Sequence, residues 1–307
     1  MAEGMWRHVR GRTWCIDGHI TIPVYLLNER EAVLLDSGYA DRDRPVLEAL
    51  LRQKGLRVRA ILGTHSHNDH NGNHAYFQKT HGAEIILRDL EAAVVSDFSL
   101  MTAAYFPASA EELARELPHL LVKADRTFSR SDQAVRIGGE RFSLIPLPGH
   151  TPGHTGIVTP DQVLYVGDAL LSTQAMRSAK LPSTMDWRQD LESKKRLRSA
   201  DYQDYILAHS GIYKSIQALI AENILDRERR TAEILEWLRE RDCWTQSEVE
   251  QLLMERLQVR GTSFMGQIIF RRNAMCVMEY LVSTDSVSIE TRKGTACYTV
   301  IHKKSVL

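Results

Sequence analysis

Residues 64–73 read Thr-His-Ser-His-Asn-Asp-His-Asn-Gly-Asn and directly follow a short apolar run. Alternate side chains of an extended or tightly turned backbone point the same way, so His65 and His67 can converge on one metal ion. Asp69 and His70, past the turn, can face a second ion. Imidazole nitrogens and carboxylate oxygens are ligands for Zn²⁺ and similar divalent ions. The stretch therefore predicts a two-metal site rather than a polar turn with chance histidines.

The composition is that of an ordinary globular protein. Of the 307 residues, 43% are hydrophobic and 25% are charged, which predicts one large core and a smaller one. The 39 basic residues balance the 39 acidic residues, so we expect no overall field that attracts nucleic acid or a membrane surface. No apolar run is long enough to span a membrane, and the polar residues 1–12 lack the apolar centre of a signal peptide.

The four cysteines, Cys15, Cys243, Cys276 and Cys297, show no Cys-x-x-Cys spacing. This usage is typical of reduced thiols that are buried as small apolar side chains, and it predicts a cytoplasmic location. It also argues against a disulfide framework and against a zinc site built from thiolates.

The other candidate metal ligands follow predicted strands. Apolar or alternating runs bounded by turn residues predict strands at 14–16, 22–27, 32–35, 58–62, 83–87, 134–137, 141–147, 157–158, 162–166 and 205–207. His150, Asp168 and His209 each lie just past one of these strands and close to a glycine, which lets the backbone turn sharply. A site built at the carboxyl ends of neighbouring strands is expected from this arrangement.

Residues 89–123 interrupt the series of strands. Their apolar side chains recur at helical spacing, which predicts a helical insertion between two strand regions. Met101, Tyr105, Phe106 and Pro107 lie at its centre. These side chains either pack into the core or cover the metal site as a lid, and the sequence leaves both alternatives open.

The last third of the chain is mainly helical in pattern. Thr245 and Glu248 form a capping-box pattern that opens one helix, and Thr262 or Ser263 is placed to cap another. Two alternating runs joined by residues 291–294 predict a hairpin. Three helices followed by a hairpin are the outline of a winged helix.

A change in pattern near residue 212 predicts two domains. Residues 1–212 are expected to form a catalytic domain, and residues 213–307 a small winged-helix-like domain. Basic and acidic residues are equally numerous over 222–307, so this part lacks the basic excess that phosphate binding needs. We expect it to act as a packing or dimerisation element that also shapes the substrate entrance, which leaves a homodimer open.

The order of the metal-type residues resembles that of the metallo-beta-lactamase-fold hydrolase superfamily. The matching positions are His65-x-His67-x-Asp69-His70, then His150, Asp168 and His209, preceded by Asp36-Ser37-Gly38. The resemblance covers roughly residues 13–211 and implies an α/β fold, a four-layer αββα sandwich with its site at one edge of the paired sheets. Beta-lactamases of the superfamily usually have a cysteine where this chain has Asp168, which favours the glyoxalase II-like branch.

The resemblance also implies a ligand set for two divalent ions, with Zn²⁺ the first choice and Mn or Fe as alternatives. The first ion would be held by His65, His67 and His150, and the second by Asp69, His70 and His209, with Asp168 bridging both. Asp69 and Asp168 are the catalytic candidates, and the two oxygens of a carboxylate suit Asp168 to the bridge. Asp36 is a candidate hydrogen-bond partner of a ligating histidine, although a cap of the turn after its strand accounts for it equally well.

Three further residues are candidates for substrate contacts. His154 could donate a hydrogen bond to a substrate, or could only bond its own loop. Tyr213 and Lys214 follow His209 closely, where a substrate carboxylate or phosphate would lie, but a solvated loop accounts for them as well.

The predicted site indicates hydrolysis. Two adjacent divalent ions can share one water, lower its pKa and polarise a substrate oxygen. We therefore expect a metal-dependent hydrolase that uses a metal-bridging hydroxide on a small thioester, ester or lactone. The alternative is a phosphodiesterase or ribonuclease of the same fold, since some members with a winged-helix-like module cleave RNA. A branch that oxidises persulfides at a single iron is disfavoured by the complete second ligand set. The expected partner is a small molecule, with no membrane, and nucleic acid is a partner only under the ribonuclease alternative.

Overall fold

The computed structural model describes residues 5–260, 263–292 and 294–301. A seven-stranded and a six-stranded β-sheet pack against each other, and helices lie on the outer side of each sheet. The predicted fold class, an αββα sandwich with a C-terminal helical region, is confirmed.

The first sheet contains seven strands in chain order. They are β1 (Met5–Arg10), β2 (Thr13–Asp17), β3 (Thr21–Leu26), β4 (Glu31–Leu35), β5 (Arg57–Leu62), β6 (Glu84–Arg88) and β7 (Arg126–Phe128). β1 to β4 form an antiparallel meander, and β4 to β7 run parallel. The sequence does not predict β1, whose residues are all exposed or half-exposed, or β7, which has only three residues.

The second sheet has the strand order β13, β12, β11, β10, β9, β8. Its strands are β8 (Ala134–Ile137), β9 (Glu140–Pro146), β10 (Thr155–Val158), β11 (Val163–Tyr165), β12 (Asp204–Leu207) and β13 (Gly211–Tyr213). Every neighbouring pair is antiparallel except β11 and β12, which run parallel. The sequence misses β13, because three residues directly after a sharp turn show no alternation.

The described residues also contain eleven α-helices and a separate two-stranded hairpin. The helices are α1 (Arg44–Gln53), α2 (Asn68–Asn71), α3 (His74–His81), α4 (Asp89–Val95), α5 (Phe98–Ala104), α6 (Ala110–Glu116), α7 (Thr173–Ala179), α8 (Trp187–Arg196), α9 (Gln217–Leu238), α10 (Gln246–Arg256) and α11 (Phe264–Ser283), and the hairpin is β14 (Val287–Arg292) with β15 (Thr295–Val300). The predicted helical insertion is confirmed as α4, α5 and α6. None of the helices in the described ranges is both long and apolar enough to cross a membrane.

The C-terminal region has the predicted order of three helices and a hairpin. Thr245 caps α10 and forms the predicted capping box with Glu248. Ser263 caps α11, because its hydroxyl accepts a hydrogen bond from the Gly266 amide. The alternative cap, Thr262, lies outside the described residues. The winged-helix-like character remains a prediction.

Two apolar cores stabilise the molecule. The first lies between the two sheets and extends under the helices that cover the seven-stranded sheet. The second joins the outer face of the six-stranded sheet to α8 and to the C-terminal helices, and it includes Leu164, Trp187 and Val277. Because this core continues across residue 212, the C-terminal helices share their buried surface with the sandwich. The division into two domains therefore remains a prediction.

A buried ionic cluster joins α8 to α9 in the second core. Asp190 pairs with Lys194 of its own helix and with Arg227 of α9, whose Nε lies 2.7 Å from the carboxylate. Burial alone would raise the pKa of Asp190, but Arg227 and Lys194 outweigh it and lower the pKa to about 2. At Gly149 (φ +137°) a Cβ atom would collide with the backbone of Asp190. The cluster therefore holds the helix against which the loop of His150 packs.

Candidate metal centre

The candidate ligands meet at one edge of the sandwich, where strands of both sheets end. The loop and short helix over 63–73 follow β5, and Asp36 follows β4. His150 lies between β9 and β10, Asp168 follows β11, and His209 follows β12. The pairing of the two sheets thus brings together side chains that are far apart in the sequence.

Three histidine nitrogens form the first group. His67 Nδ1 lies 3.1 Å from His65 Nε2 and 2.9 Å from His150 Nε2. Nitrogens bound at ~2.1 Å to a tetrahedral zinc ion would lie about 3.4 Å apart, which is close to this spacing. Burial, together with the nearby His150, lowers the pKa of His67 to about 3. A neutral imidazole with a free lone pair is the form that binds a divalent ion.

Two carboxylates and two histidines form the second group. His209 Nε2 lies 3.3 Å from Asp69 Oδ2 and 3.4 Å from Asp168 Oδ1. His70 Nε2 lies 3.7 Å and 3.5 Å from the same two oxygens. Burial would lower the pKa of His209, but the adjacent carboxylates of Asp168 and Asp69 outweigh it and raise the pKa to about 10. The raised pKa reflects a strongly negative local field, which favours any cation at this point.

The Asp168 carboxylate lies between the two groups. Its Oδ2 is 3.3 Å from His150 Nε2 of the first group, and its Oδ1 faces the histidines of the second. One oxygen toward each group is the geometry that a bridging ligand requires.

The residues present fit a pair of divalent ions. His70 Nε2 and Asp168 Oδ1 are buried and have no hydrogen-bond partner among the described residues. A buried polar atom without a partner costs about 1–3 kcal/mol, and a cation between these two atoms would satisfy both. The ligand atoms of each group lie within 4.8 Å of one another, a span that one ion can bridge. Imidazole and carboxylate donors in this number suit zinc and its neighbours.

Hydrogen bonds orient the histidines toward the two groups. Asp36 Oδ2 accepts from His70 Nδ1 at 2.7 Å and from the Thr64 hydroxyl at 2.8 Å, and Asp36 Oδ1 accepts from the Thr64 amide at 2.7 Å. The Ser183 carbonyl accepts from His150 Nδ1 at 3.1 Å. Donation by Nδ1 leaves each Nε2 with its lone pair toward the site. Asp36 is thus the hydrogen-bond partner of a candidate histidine ligand, and it also holds the loop after β5 through Thr64.

Glu91, which the sequence does not single out, connects the two loops that carry the histidines. Its carboxylate accepts hydrogen bonds from the amide and the hydroxyl of Ser66, the former at 3.0 Å. It also accepts from the Thr151 hydroxyl at 2.7 Å, the Gly153 amide at 2.9 Å and the Tyr105 hydroxyl at 3.1 Å. In the sequence it is one acid at the start of a predicted helix, which normally faces solvent. Only its burial, at 2% exposure, distinguishes it.

The prediction that His154 contacts a substrate is corrected by its burial. The side chain is fully buried, and its Nε2 accepts a hydrogen bond from the Asp168 amide at 3.1 Å. His154 therefore supports the loop that carries Asp168. His74 is also fully buried, and its Nδ1 lies 2.7 Å from the Ser37 hydroxyl.

Tyr213 and Lys214 do not line the site either, contrary to prediction. β13 runs antiparallel to β12, so Tyr213 pairs with Tyr205 near the start of β12, at the end of the strand remote from His209. The Lys214 ammonium forms an ion pair with Asp204 at that same remote end. Proximity in sequence misleads at this point because the chain reverses direction at the turn after His209.

A cavity of about 830 Å³ opens onto both ligand groups. Tyr105 and Phe106 of the insertion line one part of it, and the Tyr105 ring lies 4.8 Å from the His67 ring. Met101, at 1% exposure, belongs to the first core instead. The insertion therefore combines both alternatives, a core side chain and two aromatic side chains beside the site. Residues of α10 and α11 line another part of the cavity.

A family model described as the metallo-beta-lactamase superfamily matches residues 19–209 of the chain. The chain belongs to this superfamily. All seven candidate ligands and Asp36 lie within the matched segment, so the superfamily resemblance inferred from their order is confirmed.

Relatives within the superfamily agree with the expected glyoxalase II-like branch. A hydroxyacylglutathione hydrolase of Vibrio cholerae serotype O1 is 33% identical over 144 residues, which are 47% of this chain and 44% of that relative. The chain thus matches less than half of that relative's length. Hydroxyacylglutathione hydrolase GloC of Haemophilus influenzae is 28% identical over 145 residues, 47% of this chain and 63% of that relative.

A solved superfamily structure has the same fold over nearly the whole chain. A metallo-beta-lactamase family protein from Thermus thermophilus superposes with a TM-score of 0.66 at 22% identity, and the match covers 92% of this chain and 94% of that one. At this identity the likeness concerns the fold alone.

Proposed function

We propose that this protein is a metal-dependent hydrolase that cleaves small acyl thioesters. The observation that carries the proposal is the pair of ligand groups that share the Asp168 carboxylate next to an open cavity. Relatives named hydroxyacylglutathione hydrolase support a thioester as substrate rather than an ester or a lactone.

The proposed ligands form two sets, one for each metal ion. His65, His67 and His150 would hold one divalent ion, and Asp69, His70 and His209 a second, with Asp168 shared between them. When bound, two such ions lower the pKa of a water molecule and polarise the scissile carbonyl. Zinc is the first choice for this donor set, with manganese and iron as alternatives.

The protein's own groups prepare the site for attack by water. Burial would raise the pKa of Asp69, but His70 and His209 outweigh it and lower the pKa to about 2, so this carboxylate is ionised at neutral pH. Ionised Asp69 and Asp168 can accept hydrogen bonds from a water molecule and orient its oxygen toward the carbonyl carbon. In the reaction the water oxygen bonds to that carbon and the carbon–sulfur bond breaks. A thiol leaves with one proton, and a carboxylic acid remains.

The phosphodiesterase alternative requires free cationic groups near the site. Arg271 and Arg272 line the cavity. The Arg271 guanidinium, however, lies 3.2 Å from the Glu250 carboxylate, and the Arg272 guanidinium donates to the Ala104 carbonyl at 2.8 Å. Because Glu250 balances the charge of Arg271 and one N–H of Arg272 is already used, the cavity offers a phosphate backbone less free positive charge than two unpaired arginines would.

A panel of substrates combined with metal analysis tests the proposal. The panel contains acyl thioesters, a lactone, a bis-aryl phosphodiester and single-stranded RNA, each incubated with metal-loaded full-length protein. We expect two divalent ions per chain and turnover of thioesters above the other classes. Cleavage of RNA without turnover of any acyl substrate would overturn the proposal, as would one iron per chain with oxygen consumption.

A further inference from the structure

Part of the cavity wall is formed by α11 and is apolar. Ile268, Ile269 and Met275 of this helix line the cavity together with Phe106 of the insertion. Ile269 is 41% exposed, and the other three are partly exposed. A ligand that covers apolar side chains stabilises its complex by about 25 cal/mol for every Å² of apolar surface removed from water. This wall is therefore a surface on which an apolar ligand group would be stabilised.

Four charged residues of α10 and α11 also line the cavity, namely Glu250, Arg271, Arg272 and the exposed Glu279. Arg271 is paired with Glu250 across α10 and α11, and Arg272 is held by a carbonyl of α5. The Arg271 charge is therefore balanced by a carboxylate, and one N–H of Arg272 is used by a backbone carbonyl. These contacts join α11 to α10 and to the insertion, so that the apolar wall has a defined position relative to His67 and Asp168, which line the same cavity.

The size of the cavity exceeds what a short acyl group needs. Small-molecule sites typically measure about 300–1,000 Å³, and the volume of about 830 Å³ lies in the upper part of that range. With an acyl group of two or three carbons, most of this space would remain filled with water that contacts apolar side chains. A longer apolar group would displace that water.

We propose that the wall formed by Phe106, Ile268, Ile269 and Met275 binds an extended apolar acyl chain, so that the substrates are medium-chain acyl thioesters. The inference rests on the proposed thioester hydrolysis. It places the scissile carbonyl at the two ligand groups and the acyl chain along α11. The products are a medium-chain carboxylic acid and a free thiol.

A series of thioesters with one common thiol and straight acyl chains of increasing length tests the inference. Burial of each added methylene stabilises the bound state, so we expect kcat/KM to rise by up to about fourfold per methylene until the chain fills the cavity. Hydrolysis of all thioesters at rates independent of acyl length, or fastest for the two-carbon acyl group, overturns this inference and leaves the proposed function intact. If no thioester of any length is hydrolysed, the proposed function itself fails.

Variants of the wall provide a second test. Ile268→Ser and Met275→Ser should lower kcat/KM for the eight-carbon substrate more than for the two-carbon substrate, so that the ratio of the two values falls by roughly tenfold. Leu225→Ser is the matched control, because Leu225 is an exposed apolar residue of α9, at 64% exposure, that does not line the cavity. It should leave the ratio unchanged. An equal loss for both substrates in the two wall variants would contradict the inference.

Discussion

Glu91 connects two loops of the candidate metal centre without being one of its proposed ligands. Its carboxylate holds the loop of His65 and His67 to the loop of His150, through Ser66 on one side and Thr151 and Gly153 on the other. Groups that orient metal ligands typically change metal affinity by roughly 10- to 100-fold when they are replaced. Glu91 therefore affects metal binding indirectly, by fixing the positions of the histidines.

Glu91→Gln should weaken metal retention at neutral pH. The amide nitrogen of glutamine would face the donors of one carboxylate oxygen, either the Ser66 amide or the Gly153 amide, which only an acceptor can satisfy. We expect a roughly 10- to 100-fold loss of zinc affinity, measured by competition with a chromogenic chelator. Glu111→Gln, at an exposed position of α6, is the matched control. Unchanged retention in the Glu91 variant would show that the loops hold their geometry without this charge.

Asp168→Ala should abolish turnover of the true substrate. The substitution removes the one carboxylate that faces both ligand groups, and we expect a loss of more than about 100-fold in kcat together with a lower metal content. Metal per chain is measured in parallel with the rate. Asp201→Ala, at an exposed loop position, should behave as the unmodified protein. Retained turnover would mean that the shared-ligand assignment is wrong.

At the scale of elements, α8 supports the metal centre by packing against the loop that carries His150. The loop of His150 packs on this helix through Gly149, and the Ser193 hydroxyl donates to the Pro148 carbonyl at 2.6 Å. The helix is itself tied to α9 by the buried pairs of Asp190. The position of a candidate ligand thus depends on contacts made by a C-terminal helix.

Asp190→Asn should destabilise the protein strongly. It leaves Arg227 and Lys194 buried without their counter-charge, and loss of one partner from a buried pair typically costs about 3–5 kcal/mol. The free energy of unfolding is measured by denaturant titration. Glu236→Gln, which removes an exposed ion pair with Arg239, should cost less than about 1 kcal/mol.

The effect of Asp190 should also depend on pH in a defined direction. Its pKa is lowered to about 2 in the folded protein from an ordinary value of 3.8, so its ionised form stabilises the fold above the ordinary pKa. As the pH falls from about 4 toward 2, that contribution is lost. The difference in unfolding free energy between the unmodified protein and Asp190→Asn should therefore shrink over this interval. A difference that stays constant would contradict the cause given for the lowered pKa.

At the scale of the whole molecule, one apolar core spans the sandwich and the C-terminal helices. Trp187 of α8, Leu207 of β12 and Val277 of α11 all belong to it. A region that shares its core with a neighbour loses much of its buried surface when the neighbour unfolds. The two parts should accordingly depend on each other for stability.

Thermal or denaturant unfolding should occur in a single transition. We expect the transitions followed by tryptophan fluorescence and by far-ultraviolet circular dichroism to coincide, and the calorimetric enthalpy to equal the van't Hoff enthalpy. Metal content is kept constant during the comparison, because bound metal shifts apparent stability. Two separate transitions would instead support the predicted division between residues 1–212 and 213–307.

Predictions from the sequence were most accurate where short-range spacing carries the information. The strands that end at candidate ligands, the insertion as α4 to α6, and the capping box of α10 all follow from local patterns. The missed strands β1, β7 and β13 are short or lie at the edge of a sheet, so their residues show little burial pattern. Local signals disappear where burial on one face is weak.

The sequence by itself determined the superfamily and the candidate ligands, because histidines and aspartates rarely recur past successive strands at this spacing unless they bind metal. Only the tertiary structure decided which further side chains reach the site. Glu91 connects the two histidine loops, and α11 lines the cavity from the far end of the chain. His154 is buried behind the ligands and bonds the Asp168 amide, and Lys214 lies at the remote end of β12. The physical reason is that these contacts are non-local: they depend on how helices and sheets pack, which the spacing of residues along the chain does not encode.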